Sequence, residues 1–157
     1  MTQNLNELVR GGTFCLSKAG LKIGNSDAKD VDIAAPNGAG VDFCINGVLY
    51  HKADAADIPL TVHAVQAVDT TCIYLVCLDV DGNLSSVKGT AVLNTELVAG
   101  SSVLQFPTPV VNTCPIGYVK VKTVAVTFTT GTTELSASGV TDTYVDLFSV
   151  PTAPLTS

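Results

Sequence analysis

The chain has 157 residues and a formal charge of −6, and only 14% of its side chains are charged, well below the usual quarter. Its basic residues are Arg10 and seven scattered lysines, so the clustered Lys/Arg of a nucleic-acid footprint is missing. No apolar run approaches membrane-spanning length and no basic-plus-apolar leader precedes a cleavage site, so the expectation is a protein folded in cytosol with no membrane partner. A single domain of this size buries roughly two-thirds of its unfolded surface and needs neither metal nor disulfide to hold a core.

Residues 1–12 read as an arm. Leu5, Leu8 and Val9 fall at i, i+3 and i+4, so one helical turn places them on one face, yet the segment is too short to bury them alone. Gly11-Gly12 separates the arm from the body, which spans 13–150. Thr13 to Ile23 has a weak strand pattern interrupted at Lys18-Ala19-Gly20. A loop over 24–29, a short strand over Val31 to Ala35 and a turn-rich connector from Pro36 to Gly40 follow.

Gly40 to Asp81 carries the clearest signals. Val41, Phe43 and Ile45 alternate up to Asn46-Gly47, and Val48 and Tyr50 carry the pattern away. Asn-Gly between alternating runs predicts a two-residue hairpin with a type I′ turn, because both central residues need positive φ. That turn sets the register, pairing Ile45 with Val48, Phe43 with Tyr50, Val41 with Lys52, Cys44 with Leu49 and Asp42 with His51. Lys52 to Asp57 reads as a loop and Leu60 to Val68 as a strand with Leu60, Val62 and Ala64 on one side. Cys72 to Val80 is the most apolar strand in the chain and the natural neighbour of the hairpin. It stops at the Asp81-Gly82-Asn83 turn.

Leu84 to Leu93 returns as a strand kinked or bulged near Gly89. Residues 94–112 are irregular, with one short helix near Thr95 to Ala99, and Pro107 and Pro109 exclude a central strand. From Pro115 a strand turns Val119 and Val121 one way and Lys120 and Lys122 the other. Val124, Val126 and Phe128 fall out of phase, which requires a bulge near Thr123 or cover on both faces. Thr141 to Val150 supplies the last strand, and the tail 151–157, with two prolines, reads as loose. Seven to nine short strands without a long helix predict an all-β, single-domain β-sandwich or small barrel with a short N-terminal arm.

Chemical motifs are sparse. Asp79, Asp81 and Asn83 begin like a calcium loop, but Leu84 stands where that loop wants glycine and Thr90 where it wants glutamate, so a hairpin turn is the stronger reading. His51 and His63 lie on apolar stretches with no nucleophile motif nearby. Cys15, Cys44, Cys72, Cys77 and Cys114 are odd in number and lack metal-ligand spacing, which predicts reduced, buried thiols. Tyrosines on the surface would offer a carbohydrate platform, weakened by the absence of tryptophan. No catalytic residue, cofactor or metal is expected.

Three stretches together resemble a known family: "VDFCINGVLYHKA" (41–53), "TTCIYLVCLDVDGNLSSVKG" (70–89), and "CPIGYVKVKT" leading to "FTTGTTELSASGVTDTYVDL" (114–147). Their order is similar to that in small head proteins of tailed bacteriophages, the decoration or cement proteins sometimes called head fibres. The resemblance implies a noncatalytic virion structural protein. It would be made in the host cytoplasm and assembled as a homotrimer on the outer capsid surface, with the major capsid protein as partner. It transfers no functional residue. In that setting Leu5, Leu8, Val9 and Arg10 are the expected capsid-anchoring residues, Arg10 being suited to a bidentate carboxylate contact. The alternative is a phage tail or receptor-binding, carbohydrate-binding module.

Overall fold

The computed structural model describes residues 12–148. Within them the chain is all-β: eleven strands and one six-residue helix, with the strands in three antiparallel sheets. One small sheet joins β1 (Phe14–Cys15), β4 (Val41–Ile45) and β5 (Val48–Lys52). A second joins β2 (Leu21–Ile23), β3 (Val31–Ile33) and β6 (Ala55–Ile58). The large sheet runs β11 (Val140–Asp146), β10 (Cys114–Thr123), β7 (Thr70–Leu78), β8 (Leu84–Lys88), with β9 (Val92–Leu93) also on β7. The helix α1 is Asn94–Ala99.

The hairpin forms as the turn chemistry dictates. Asn46 and Gly47 take φ of 52° and 85°, and all five β4–β5 pairs stand in the register set by that turn. Phe43 stacks on Tyr50 with ring centroids 5.7 Å apart. The hairpin does not pair with β7, however. It belongs to a separate sheet and meets β7 only through the shared core, to which Val41, Phe43 and Ile45 contribute alongside Tyr74, Val76 and Leu78.

Strand β7 organises the fold, because all nine of its residues are buried. Its inward side chains, Cys72, Tyr74, Val76 and Leu78, join the common core with Val119 and Val121 of β10. Its other face is covered by the irregular segment after α1. Gly89 donates its N–H to the Ile73 carbonyl at 2.7 Å, and a Cβ on Gly89 would lie 3.0 Å from that oxygen and 3.2 Å from the Gln105 carbonyl. The Phe106 ring meets Tyr118 of β10 edge-on at 5.0 Å. Glycine at 89 is therefore a packing requirement as well as the break between β8 and β9.

Four expectations are corrected. Lys52 to Asp57 is not a loop throughout: β6 begins in it at Ala55 and runs on to Ile58, held from a distance by carboxylates. Asp54 accepts the Ala35 N–H at 2.9 Å, Asp57 accepts the Ser26 N–H at 2.8 Å, and the Asp57 N–H donates to Asp32 at 2.8 Å. Leu60 to Val68 is not a strand. Its one ladder contact is an isolated bridge between Gln66 and Phe128, and only Leu60 and Gln66 are buried while Val62 is 68% exposed. The segment is fastened by side chains instead. Gln66 Nε2 donates to the Thr70 and Val121 carbonyls, and Tyr74 Oη donates to Gln66 Oε1 at 3.0 Å. The bulge in β10 lies between Pro115 and Gly117 rather than near Thr123. The phase slip after Thr123 has a simpler cause, since the strand ends there and Ala125 takes a φ of 56°. Finally, the last strand ends at Asp146, well short of Val150, which lies outside the described residues.

Replacing Asn46-Gly47 by Ala-Ala is predicted to lower stability, at roughly 1–2 kcal/mol for each alanine forced to positive φ. Chemical denaturation would show a lower midpoint with an unchanged slope; equal midpoints would show that the turn does not hold the register.

Candidate interaction surface

The residues singled out for chemistry do not converge. Leu5, Leu8, Val9 and Arg10 lie outside the described residues. Asp79 is consumed by its own turn: its Oδ1 accepts the N–H groups of Asp81 and Asn83 at 2.9 and 2.8 Å, and its Oδ2 accepts Asn83 Nδ2 at 3.0 Å. Burial opposes the charge on this carboxylate, but the bonds from Asn83, Asp81 and Gly82 outweigh it and hold its pKa below the usual value. This is an Asx turn using the oxygens that a cation would need. Among the described residues no group of three or more His, Cys, Asp or Glu is placed to hold a metal.

The two histidines sit on different parts of the body. His51 Nδ1 lies 2.8 Å from Asp42 Oδ1 across the hairpin. His63 Nε2 lies 3.0 Å from the Ser86 carbonyl oxygen and 3.1 Å from its hydroxyl. A carbonyl can only accept, so Nε2 carries a proton there and is not poised to take one from Ser86. Ser86 is itself buried. All five cysteines are unpaired and buried. Burial pushes the thiols of Cys15, Cys72 and Cys77 up to about 11 and that of Cys114 to about 12, which disfavours the thiolate a nucleophile or metal ligand must present. The tyrosines form no open platform: Tyr74 is buried and Tyr50, Tyr118 and Tyr144 are half-buried.

What the surface does present is largely apolar, with Lys120 and Lys122 as the charges beside it. Helix α1 buries none of its residues, and Val98 on it is 89% exposed. The left-handed Gly100 closes the helix, with its N–H on the Leu97 carbonyl and that of Ser101 on Glu96. A shallow groove beside α1 is lined by Thr71, Leu97, Val98, Leu104, Lys120 and Lys122. Farther along the same covering segment, Val103, Val110 and Val111 are exposed. The hairpin adds Val48 and Leu49. Asn46 Nδ2 donates to Asn112 Oδ1 at 3.1 Å, which brings the hairpin tip beside Val110 and Val111. Isolated apolar side chains are ordinary on any surface, but groups of them on so weakly charged a domain are the usual mark of an interaction site. The sequence held a signal for this in 94–112, where an irregular stretch carries many apolar and few charged residues.

No known protein family, curated protein or solved structure matches the chain.

His63 gives the 60–68 segment a pH-dependent anchor. It ties the 60–68 segment to β8, and its imidazole pKa is lowered from the ordinary 6.5, chiefly by burial and also by the positive charge of Lys88. The folded state therefore binds fewer protons than the unfolded one. Stability present above pH 6.5 is lost as pH falls through the unfolded value toward the lower folded one. Denaturation midpoints at pH 7.5 and 5 should differ more for the parent than for His63→Gln; an equal difference in both would remove His63 as the cause.

Proposed function

We propose that this chain is a noncatalytic structural protein of a tailed-phage virion, a decoration protein that docks on the outer capsid surface. The observation that carries the reading is the apolar, weakly charged surface around α1 and the segment after it. Val98 and Val103 stand out from a body whose central strand is fully buried. Such side chains gain roughly 1.5–3 kcal/mol each when fully covered, so a protein that presents them gains by binding. The resemblance of 41–53, 70–89 and 114–147 to phage head proteins supplies the particular partner, the major capsid protein, and the trimeric assembly. We also infer that the body is a β-sandwich, with the large sheet stacked on the two small ones. In support, side chains from all three sheets enter one core cluster, including Phe43, Ile33 and Tyr74.

The test uses heads purified from the phage that encodes the chain. The protein is expected on those heads in a copy number set by capsid symmetry. Val98→Asp and Val103→Asp should leave the denaturation midpoint near that of the parent and reduce head occupancy by about tenfold or more, the effect of losing roughly 1.4 kcal/mol of binding. Absence of the chain from heads, or full occupancy by both variants, would overturn the reading.

A further inference from the structure

The small sheet β1–β4–β5 has one face in the core and another that is only partly covered among the described residues. The register places Phe14, Cys44 and Leu49 in one row on that outer face, with Asp42 and His51 in the next. Leu16 follows Phe14 and is held there by its N–H on the Asp42 carbonyl at 2.8 Å. Cys44 is buried, yet Leu49 is 70% exposed and Leu16 47%. The apolar area left open at Leu16 and Leu49, beside the Asp42–His51 pair, calls for an occupant.

We propose that the occupant is the chain's own N-terminal segment, with Leu5, Leu8 and Val9 laid against Phe14, Leu16 and Leu49. Three observations select it. The first is where the chain arrives. Thr13 Oγ1 accepts the Asn46 N–H at 3.1 Å, and a Cβ on Gly12 would touch the Phe14 ring at 3.5 Å, so the segment joins the body at the edge of this face. The second is reach. Leu8 stands six positions before Phe14, which extended chain spans in at most about 20 Å, and a five-residue strand is of similar length. Gly11-Gly12 permits the reversal that folding back requires. The third is charge. Arg10 is the one arginine of an acidic chain, and the face offers Asp42, whose half-exposed carboxylate takes the His51 ring on Oδ1 at 2.8 Å. Attachment at the edge gives the segment a high effective concentration that a separate molecule lacks. The inference does not rest on the decoration reading, and it differs from one in which these residues anchor to another protein.

The test is covalent footprinting of the isolated full chain, read by mass spectrometry at Leu16 and Leu49, with Val62 and Val65 as references away from this face. Deleting residues 2–10 should raise labelling at Leu16 and Leu49 by about threefold or more and leave the references unchanged, and protection in the full chain should survive about a hundredfold dilution. Leu8→Asp in the full-length chain should reproduce the deletion, and carries the test should the shortened chain fail to fold. Labelling unchanged by both variants would overturn the proposal. Protection lost on dilution would overturn it too, by assigning the face to a second copy.

Discussion

The structure depends on a strand that has no free face. β7 is buried along its whole length and apolar beyond Thr70 and Thr71, and burying one side against the core leaves Ile73, Leu75 and Cys77 on the other. Each large side chain among them is worth roughly 1.5–3 kcal/mol if covered. Among the described residues no helix is long enough to do it, since α1 has six residues. The cover is irregular chain, from the end of α1 through Phe106 and Pro107 to Thr113. Prolines suit this cover because its backbone need not join the ladder.

Irregular chain has to be fastened, and at the start of α1 and around Gln66 this is done chiefly with neutral polar groups. Asn94 takes the Thr71 hydroxyl at 2.7 Å and gives its Nδ2 to the Thr123 carbonyl at 2.9 Å, fixing the start of α1 to the edge of β7 and β10. Gln66 and Thr123 are fully buried and bonded on every side that matters. A buried amide so satisfied specifies position without the desolvation cost of a buried charge. The same economy leaves the surface short of charge, and that links the fold to the interaction surface: the domain is held from within, and its exterior keeps exposed valine and leucine for contact.

The parts legible in the sequence were those fixed by neighbours in the chain. Asn46-Gly47 determines its own hairpin because turn type and two-residue periodicity are local. Gly89 marks the strand break, and Asp81-Gly82-Asn83 ends β7, for the same reason. The misread parts depend on distant partners. Ala55 to Ile58 shows little apolar contrast, and becomes a strand through Asp54 and Asp57 reaching residues 26–35. Leu60, Val62 and Ala64 alternate like a strand, yet Gln66 and Thr130 hold that segment through side chains. The β10 bulge was equally hidden. Beside it Gly117 passes so close to Leu21 that a Cβ would lie 2.3 Å from the Leu21 side chain, a contact between residues nearly a hundred positions apart that no local pattern shows. As for function, the buried thiols and the carbonyl-bound His63 follow from packing, and the apolar surface emerges only once the core is known.

Native-state hydrogen exchange tests most directly whether two-faced burial of β7 is the basis of the fold. The amides of Ile73 to Leu78, with their partners in β10, should be the slowest in the protein and exchange only through global unfolding. Residues 97–103 and 60–65, without ladder bonds, should exchange through smaller openings. Exchange of the β7 amides at rates matching those surface segments would contradict the account.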